Sequence, residues 1–203
     1  MRADAVLAPV SWQRMIAAVE KVRDRLLRAA KALEAAEIPY AVAEDNAVAA
    51  WVSRIDEAAV RNTRDVDILL RRADLESARR ALESAGFIYR RAASLGQPGG
   101  LELFLDGAGG SPRDAVHLVF ASEKVRPDSP VPSPDVTESE PGDKFRLVAL
   151  EALIRMKLAA FRDKDRTHLR DLIEVGLLDS SMLDRLPAEL RPRLQLILET
   201  PDG

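Results

Sequence analysis

The 203-residue sequence predicts an α+β fold, a mixed β-sheet flanked by helices with further helices towards the C-terminus. Three observations lead there. Stretches with apolar residues at three- and four-residue spacing are interleaved with short runs of period two. Those strands and helices follow one another without strict βαβ alternation, which favours a mixed sheet over a parallel one. A proline-rich stretch then separates them from a purely helical region. The resulting division is an α/β core over 1–121, an extended connection over 122–144, and a helical region over 145–203 packed on the core.

Each element has a local cause. Ser11 is placed as an N-cap. From Trp12 to Ala36, apolar Ile16, Val19, Val22, Leu26, Ala29, Ala30 and Leu33 recur at helical spacing. Lys21, Asp24, Arg25 and Arg28 fill the opposite face, and Pro39 stops the helix. Tyr40-Ala41-Val42-Ala43 reads as a short strand, and Asn46 to Ser53 as a second helix. Thr63 to Leu70 is the clearest strand, with Val66, Ile68 and Leu70 on one face and Asp65, Asp67 and Leu69 on the other. Asp74 opens a helix that runs to Ala85 and ends at Gly86. Phe87 to Arg91 is a strand and Leu95 to Gly100 a loop. Leu101 to Leu105 and Ala115 to Ala121 are two strands joined by the turn Gly107-Ala108-Gly109-Gly110. Ser122 to Lys144 carries Pro127, Pro130, Pro132, Pro134 and Pro141 among acids and serines, and reads as an extended surface connection. Phe145 to Phe161 and Asp165 to Gly176 are helices. Ser181 to Leu198 is a helical tail broken at Pro187 and Pro192.

Composition narrows the chemistry. Hydrophobic residues make up 47% and charged residues 31%, which is globular rather than disordered composition. The net charge of −3 supplies no global positive field for nucleic acid, though a local basic patch would suffice. Without a single cysteine, disulfides, thiolate metal sites and cysteine nucleophiles are excluded. Met1-Arg2-Ala3-Asp4 lacks a signal peptide's apolar core, and no apolar run approaches the roughly 20 residues of a membrane span. The expectation is a cytoplasmic protein with no membrane partner.

Asp65 and Asp67 carry the most chemistry. One residue apart on a strand, their side chains leave the same face about 7 Å apart. Two like charges so placed are unfavourable unless a cation or base lies between them. Hard oxygen ligands at that spacing suit Mg²⁺ or Mn²⁺, which can join carboxylates to nucleotide phosphates. A half-exposed strand whose outer face merely holds two acids is the other reading of the same residues.

Two stretches carry a family resemblance. One runs from Tyr40-Ala41-Val42-Ala43-Glu44-Asp45-Asn46-Ala47-Val48-Ala49-Ala50-Trp51 to Thr63-Arg64-Asp65-Val66-Asp67-Ile68-Leu69-Leu70. The other is Leu153-Ile154-Arg155-Met156-Lys157-Leu158-Ala159-Ala160-Phe161-Arg162-Asp163-Lys164-Asp165, followed by Leu169-Arg170-Asp171-Leu172. Helix, short strand and helix, then an Arg-Asp-x-Asp strand, is the order of the DNA polymerase β-like nucleotidyltransferases. The chain resembles their minimal, abortive-infection-type (AbiEii-like) branch up to about Leu178. The resemblance implies a nucleotidyltransferase-type sheet and transfer of a nucleotidyl group from a nucleoside triphosphate, with loss of pyrophosphate. The acceptor is left open between a small molecule, a protein side chain and an RNA end. It implies that Asp65 and Asp67 ligate metal and that Lys157 faces the phosphates as a point charge; an ordinary solvated lysine is the alternative. Arg64 is expected among the nucleotide-binding residues.

The sequence departs from the family at two places. The family's first strand normally ends in Gly-Gly or Gly-Ser, where backbone amides approach phosphate; here Glu44 and Asp45 take those positions. They would either bind further metal or mark a degraded nucleotide-binding turn, leaving a non-catalytic binding or regulatory module, with a toxin–antitoxin or phage-defence setting under either reading. A third acid is commonly expected on the strand Ala115–Phe120, where His117 stands instead. His117 is open as a metal ligand, a general base or a structural residue. Asp106 and Asp114 are nearby acids able to substitute, at turns where aspartate is common. His168 and Asp171 form an expected surface pair. Arg61, Arg64, Arg71 and Arg72 surround the acidic strand, as phosphate contacts or a solvated face. Trp12 and Trp51 are expected in the core or a groove.

Overall fold

The computed structural model describes residues 11–94 and 97–201. Met1–Asp4 and two residues of the expected loop, Leu95 and Gly96, lie outside the described residues. The first helix, α1 (Trp12–Ala35), is followed by β1 (Tyr40–Ala43), α2 (Glu44–Ser53), β2 (Val66–Leu70), α3 (Leu75–Ser84), β3 (Ile88–Ser94), β4 (Gln97–Leu105) and β5 (Ala115–Phe120). Two short strands, β6 (Ser139–Pro141) and β7 (Arg146–Val148), precede α4 (Leu150–Ala160), α5 (Asp163–Glu174) and α6 (Arg191–Glu199). The strands form one seven-stranded mixed sheet in the order β3-β4-β5-β2-β1-β7-β6. The expected α+β class is what the structure shows.

The acidic strand β2 sits at the middle of that sheet. It pairs antiparallel with β1 and parallel with β5. All five of its residues are buried, so it is not a half-exposed strand. Helices α1 and α3 pack together, and α2, α4 and α5 pack together; Leu33, Ile68, Leu70, Leu82, Phe104, Leu153 and Leu158 contribute the bulk of a core that is closed to solvent. Each such aliphatic side chain contributes about 1.5–3 kcal/mol by leaving water.

Several local expectations are corrected. The segment 122–144 contributes β6, which pairs antiparallel with β7, and β7 pairs parallel with β1 through Val42 and Leu147. By its own sequence Arg146–Val148 reads as the start of a helix; pairing across the sheet overrides that local signal. The expected loop Leu95–Gly100 gives way to strand from Gln97. Gly100 permits this, since its φ is +80° and a Cβ there would lie 2.6 Å from the carbonyl oxygen of Ala92. Pro192 does not break the tail. It occupies the first turn of α6, where its missing N–H costs nothing. At the start of α1, Trp12 is 67% exposed, and Met15, Ile16 and Val19 are exposed too. Arg25, placed on the solvated face by its spacing, is buried: its guanidinium donates to the Arg64 carbonyl at 2.8 Å and to Asp106 at 3.2 Å.

Candidate active site

Register explains how the candidate residues meet. Asp67 pairs across β2 with Ala43 of β1 on one side and His117 of β5 on the other. Neighbouring side chains at one level of a sheet share a face, so Asp67 and His117 are held side by side on central strands. Asp65 lies in the bend just before β2, which begins at Val66 and not at Thr63 as expected. Its backbone carbonyl accepts from Asn46 Nδ2 at 2.8 Å, and its Oδ1 accepts from Thr63 Oγ1 at 2.7 Å. One donor atom from each of Asp65, Asp67 and His117 falls within 4.8 Å of the others.

Each side chain is electrostatically incomplete as it stands. Asp67 is 9% exposed, yet among the described residues no hydrogen bond reaches its carboxylate. Burial, followed by the nearby carboxylates of Glu44, Asp65 and Asp45, holds its pKa well above the usual carboxylate range. His117 Nε2 lies 2.8 Å from the Pro112 carbonyl oxygen, which fixes Nε2 as the protonated nitrogen. The lone pair of Nδ1 therefore faces Asp65 Oδ2 at 3.7 Å and Asp67 Oδ1 at 3.9 Å. An imidazole lone pair and two carboxylates facing one another repel. A divalent cation among them satisfies all three, so the donor set fits a metal.

The residues expected at the phosphates are arranged differently. Lys157 has no exposed surface. Its Nζ lies 2.6 Å from Glu44 Oε2, 2.8 Å from Asp45 Oδ1 and 3.3 Å from Asp165 Oδ1. Burial alone would depress its ammonium, but the three carboxylates reverse that and raise it. Burial likewise pushes Asp45 up, while Lys157 overrides it and lowers the carboxyl to about 2. Arg162 pairs with Glu44 at 3.3 Å and with Asp165 at 2.6 Å, and Lys164 with Asp45 at 3.1 Å. Three cations thus meet three carboxylates. Lys157 is neither solvated nor free to meet a phosphate, and Glu44 and Asp45 are its counter-ions. Glu44 also adopts a φ of +52°, the left-handed conformation that the expected glycine would take without strain.

Other candidates are spoken for. Arg64 pairs with Asp114 at 3.0 Å, and Asp106 with Arg25 and Arg28, so neither acid joins Asp65, Asp67 and His117. Arg61 makes a two-pronged contact with the buried Asp171, Arg71 binds Asp135, and Arg72 binds Glu123. His168 is not on the surface. It is buried with Nδ1 3.6 Å from Asp45 Oδ1, while Asp171 belongs to Arg61. Trp51 is in the core, donating to the Val148 carbonyl at 3.0 Å.

The site opens in two directions. A cleft of about 410 Å³ is lined by Asp65, Asp67 and His117 and by the cations Lys124, Arg126, Arg162 and Lys164. Its size falls in the range of small-molecule sites. Lys124 and Arg126, from the proline-rich connection, have no ion-pair partner among the described residues, and nothing in the sequence motifs singles them out. A second, more open depression of about 440 Å³ is lined by Thr63, Arg64, Asp65, Pro112, Arg113 and His117. Asp65, Leu101 and His117 line both. Pro112 carries no motif either; of the supporting residues, Asn46 and Thr63 fall within the stretches that carry the family resemblance.

No curated protein matches the chain in sequence. Among solved structures it is similar to an antigenic nucleotidyltransferase-like protein from Paracoccidioides brasiliensis, at 19% identity and a TM-score of 0.51, over 90% of this chain and 94% of that one. At that identity the likeness is one of fold. Weaker likenesses are to the antibiotic-resistance factor ANT(2'')-Ia in solution (14% identity, TM-score 0.41, 93% and 84% of the two chains). The same factor in complex with adenylyl-2''-tobramycin gives 14% identity, TM-score 0.44 and 94% and 99% coverage. No helix among the described residues is long and apolar enough to cross a membrane. Residues 53–200, which hold the paired aspartates, His117 and Lys157, match the family described as nucleotidyl transferase AbiEii toxin, type IV TA system, and the chain belongs to that family.

Proposed function

We propose that this protein is a metal-dependent nucleotidyltransferase that moves a nucleotidyl group from a nucleoside triphosphate to an acceptor. The observation that carries this is the convergence of Asp65, Asp67 and His117, three ligand groups within 4.8 Å of one another, at the wall of a cleft that Lys124 and Arg126 also line. These residues would hold a divalent cation, Mg²⁺ or Mn²⁺, which when bound neutralises polyphosphate charge and activates an attacking oxygen. Lys124 and Arg126 bind the triphosphate in the more enclosed cleft, which Arg72 also lines. The acceptor enters from the second depression, past Arg64 and Arg113. An acceptor oxygen forms the new bond to the α-phosphorus as the bond to pyrophosphate breaks. Thr63 and Asn46 orient Asp65, the Pro112 carbonyl orients His117, and Lys157 with Glu44 and Asp45 holds the start of α2 against α4 and α5. The family's description supplies a toxin–antitoxin setting, which we carry to this chain.

A second reading rests on one observation. Glu44 and Asp45, where small residues would admit phosphate, are committed to Lys157, which suits a module that binds nucleotide without transferring it. Incubation with each labelled nucleoside triphosphate and Mn²⁺ or Mg²⁺, alone and with cell extract fractions as acceptors, separates the two. Transferase activity releases pyrophosphate and labels one fraction. Calorimetric binding without pyrophosphate release favours the module, and no binding by any of the four nucleotides defeats both.

A further inference from the structure

The identity of the metal follows from the third donor, on the reading that the Asp65–Asp67–His117 group binds one. We propose that this site selects a first-row transition-metal ion over Mg²⁺, with His117 Nδ1 as the selecting ligand.

Mg²⁺ is a hard ion that takes oxygen ligands in near-ideal octahedral geometry and keeps several waters. Imidazole nitrogen favours later divalent ions, whose affinity for nitrogen rises along the first row. A carboxylate on β5 would give an all-oxygen site. Here the position beside Asp67 in the parallel register belongs to His117. Among the described residues no other acid takes the third place: Asp106 is tied to Arg25 and Arg28, and Asp114 to Arg64. Asp65, Asp67 and His117 are the metal-competent group among the described residues.

The imidazole is prepared for ligation rather than for a salt bridge. The Pro112 carbonyl at 2.8 Å fixes the Nε2 proton, the outer contact that metal-bound histidines use to set their tautomer. Nδ1 stands 3.7 Å and 3.9 Å from the two carboxylates, beyond hydrogen-bonding range and with space between. Because His117 and Asp67 are on adjacent central strands, the ring is not carried on a mobile loop and stays aimed at the site.

Co²⁺ is a suitable probe, since its visible absorption reports nitrogen ligation. The protein is titrated with Co²⁺ in the absence and presence of rising Mg²⁺. We expect Mg²⁺ to displace Co²⁺ only in large excess, about 100-fold or more. We expect His117→Asp to reduce the Co²⁺-over-Mg²⁺ preference at least tenfold, the size typical of losing a tuned metal contact. The wild-type chain supplies a test that needs no variant. It has two histidines, so Co²⁺ should move one imidazole resonance far from its normal position and leave the other near it. Displacement by Mg²⁺ at comparable concentration, or a preference unchanged in a folded His117→Asp, overturns the selectivity while leaving the metal site standing. Absence of binding by both ions, with and without nucleotide, instead removes the metal-dependent reading itself.

Discussion

Replacing Lys157 by Met keeps most of the side-chain volume and removes the cation at the centre of three carboxylates. Breaking a buried ion pair by deleting one partner costs about 3–5 kcal/mol. The remaining network softens this, because Arg162 stays 3.3 Å from Glu44 and Lys164 stays 3.1 Å from Asp45. We therefore expect about 3 kcal/mol, which for a chain of this size is a fall of about 6–12 °C in Tm at pH 7.5. The pH dependence carries a sign. In the wild type Asp45 is lowered to about 2 and Asp165 is lowered as well. Depressed carboxyls contribute stability above their unfolded value of about 3.9 and lose it only as pH falls through the folded value, so these two contribute no slope between pH 7.5 and 5.5. Without Lys157, burial is free to push them up. A raised carboxyl favours the fold at low pH, and that contribution disappears as pH rises through its folded value. The deficit of Lys157→Met should therefore shrink on going from pH 7.5 to 5.5. Thermal melts of both proteins across that range are the assay. A loss under about 1 kcal/mol, or a deficit that widens on acidification, would refute the view of Lys157 as a desolvated keystone of the site wall.

Three other perturbations test neighbouring parts of the site. Asp67→Asn should stabilise the metal-free protein at pH 7.5 by about 1 kcal/mol, since a raised carboxyl loses stability as pH climbs through its folded value; the same variant should lose the rise in Tm that Mn²⁺ gives the wild type. Glu44→Gly with Asp45→Gly relieves the φ of +52° but strips Lys157 of two partners, so melting temperature should fall, and a stable variant would show the turn tolerates the family's usual glycines. Lys124→Ala with Arg126→Ala should weaken triphosphate binding by roughly tenfold, more at low salt than at high, with stability moved by less than about 0.5 kcal/mol; calorimetry at two ionic strengths measures the first and melting the second.

The parts of the molecule visible in the sequence are those fixed by short-range pattern. The helix from Trp12, the strand Tyr40–Ala43 and the alternation around Asp65 and Asp67 each follow from the spacing of apolar residues. The closeness of His117 to Asp67 is available from sequence only as a resemblance, because strand register is set by pairing across the sheet. Strands β6 and β7 are invisible for the same reason: Arg146–Val148 is three residues long and becomes a strand only beside β1. Burial of charge is the hardest to foresee. Lys157 and Arg25 have the spacing of solvated residues, and only the three-dimensional arrangement supplies the carboxylates and carbonyl that make their burial tolerable.

The most direct test is a crystal of the protein grown with Mn²⁺ and a non-hydrolysable nucleoside triphosphate, with the metal located by its anomalous scattering. We expect a single strong peak within about 2.5 Å of Asp65, Asp67 and His117 Nδ1, with phosphate oxygens completing its shell on the side of Lys124 and Arg126. A peak elsewhere, or nucleotide bound with the three side chains still facing one another across an empty gap, would contradict a metal-dependent transferase.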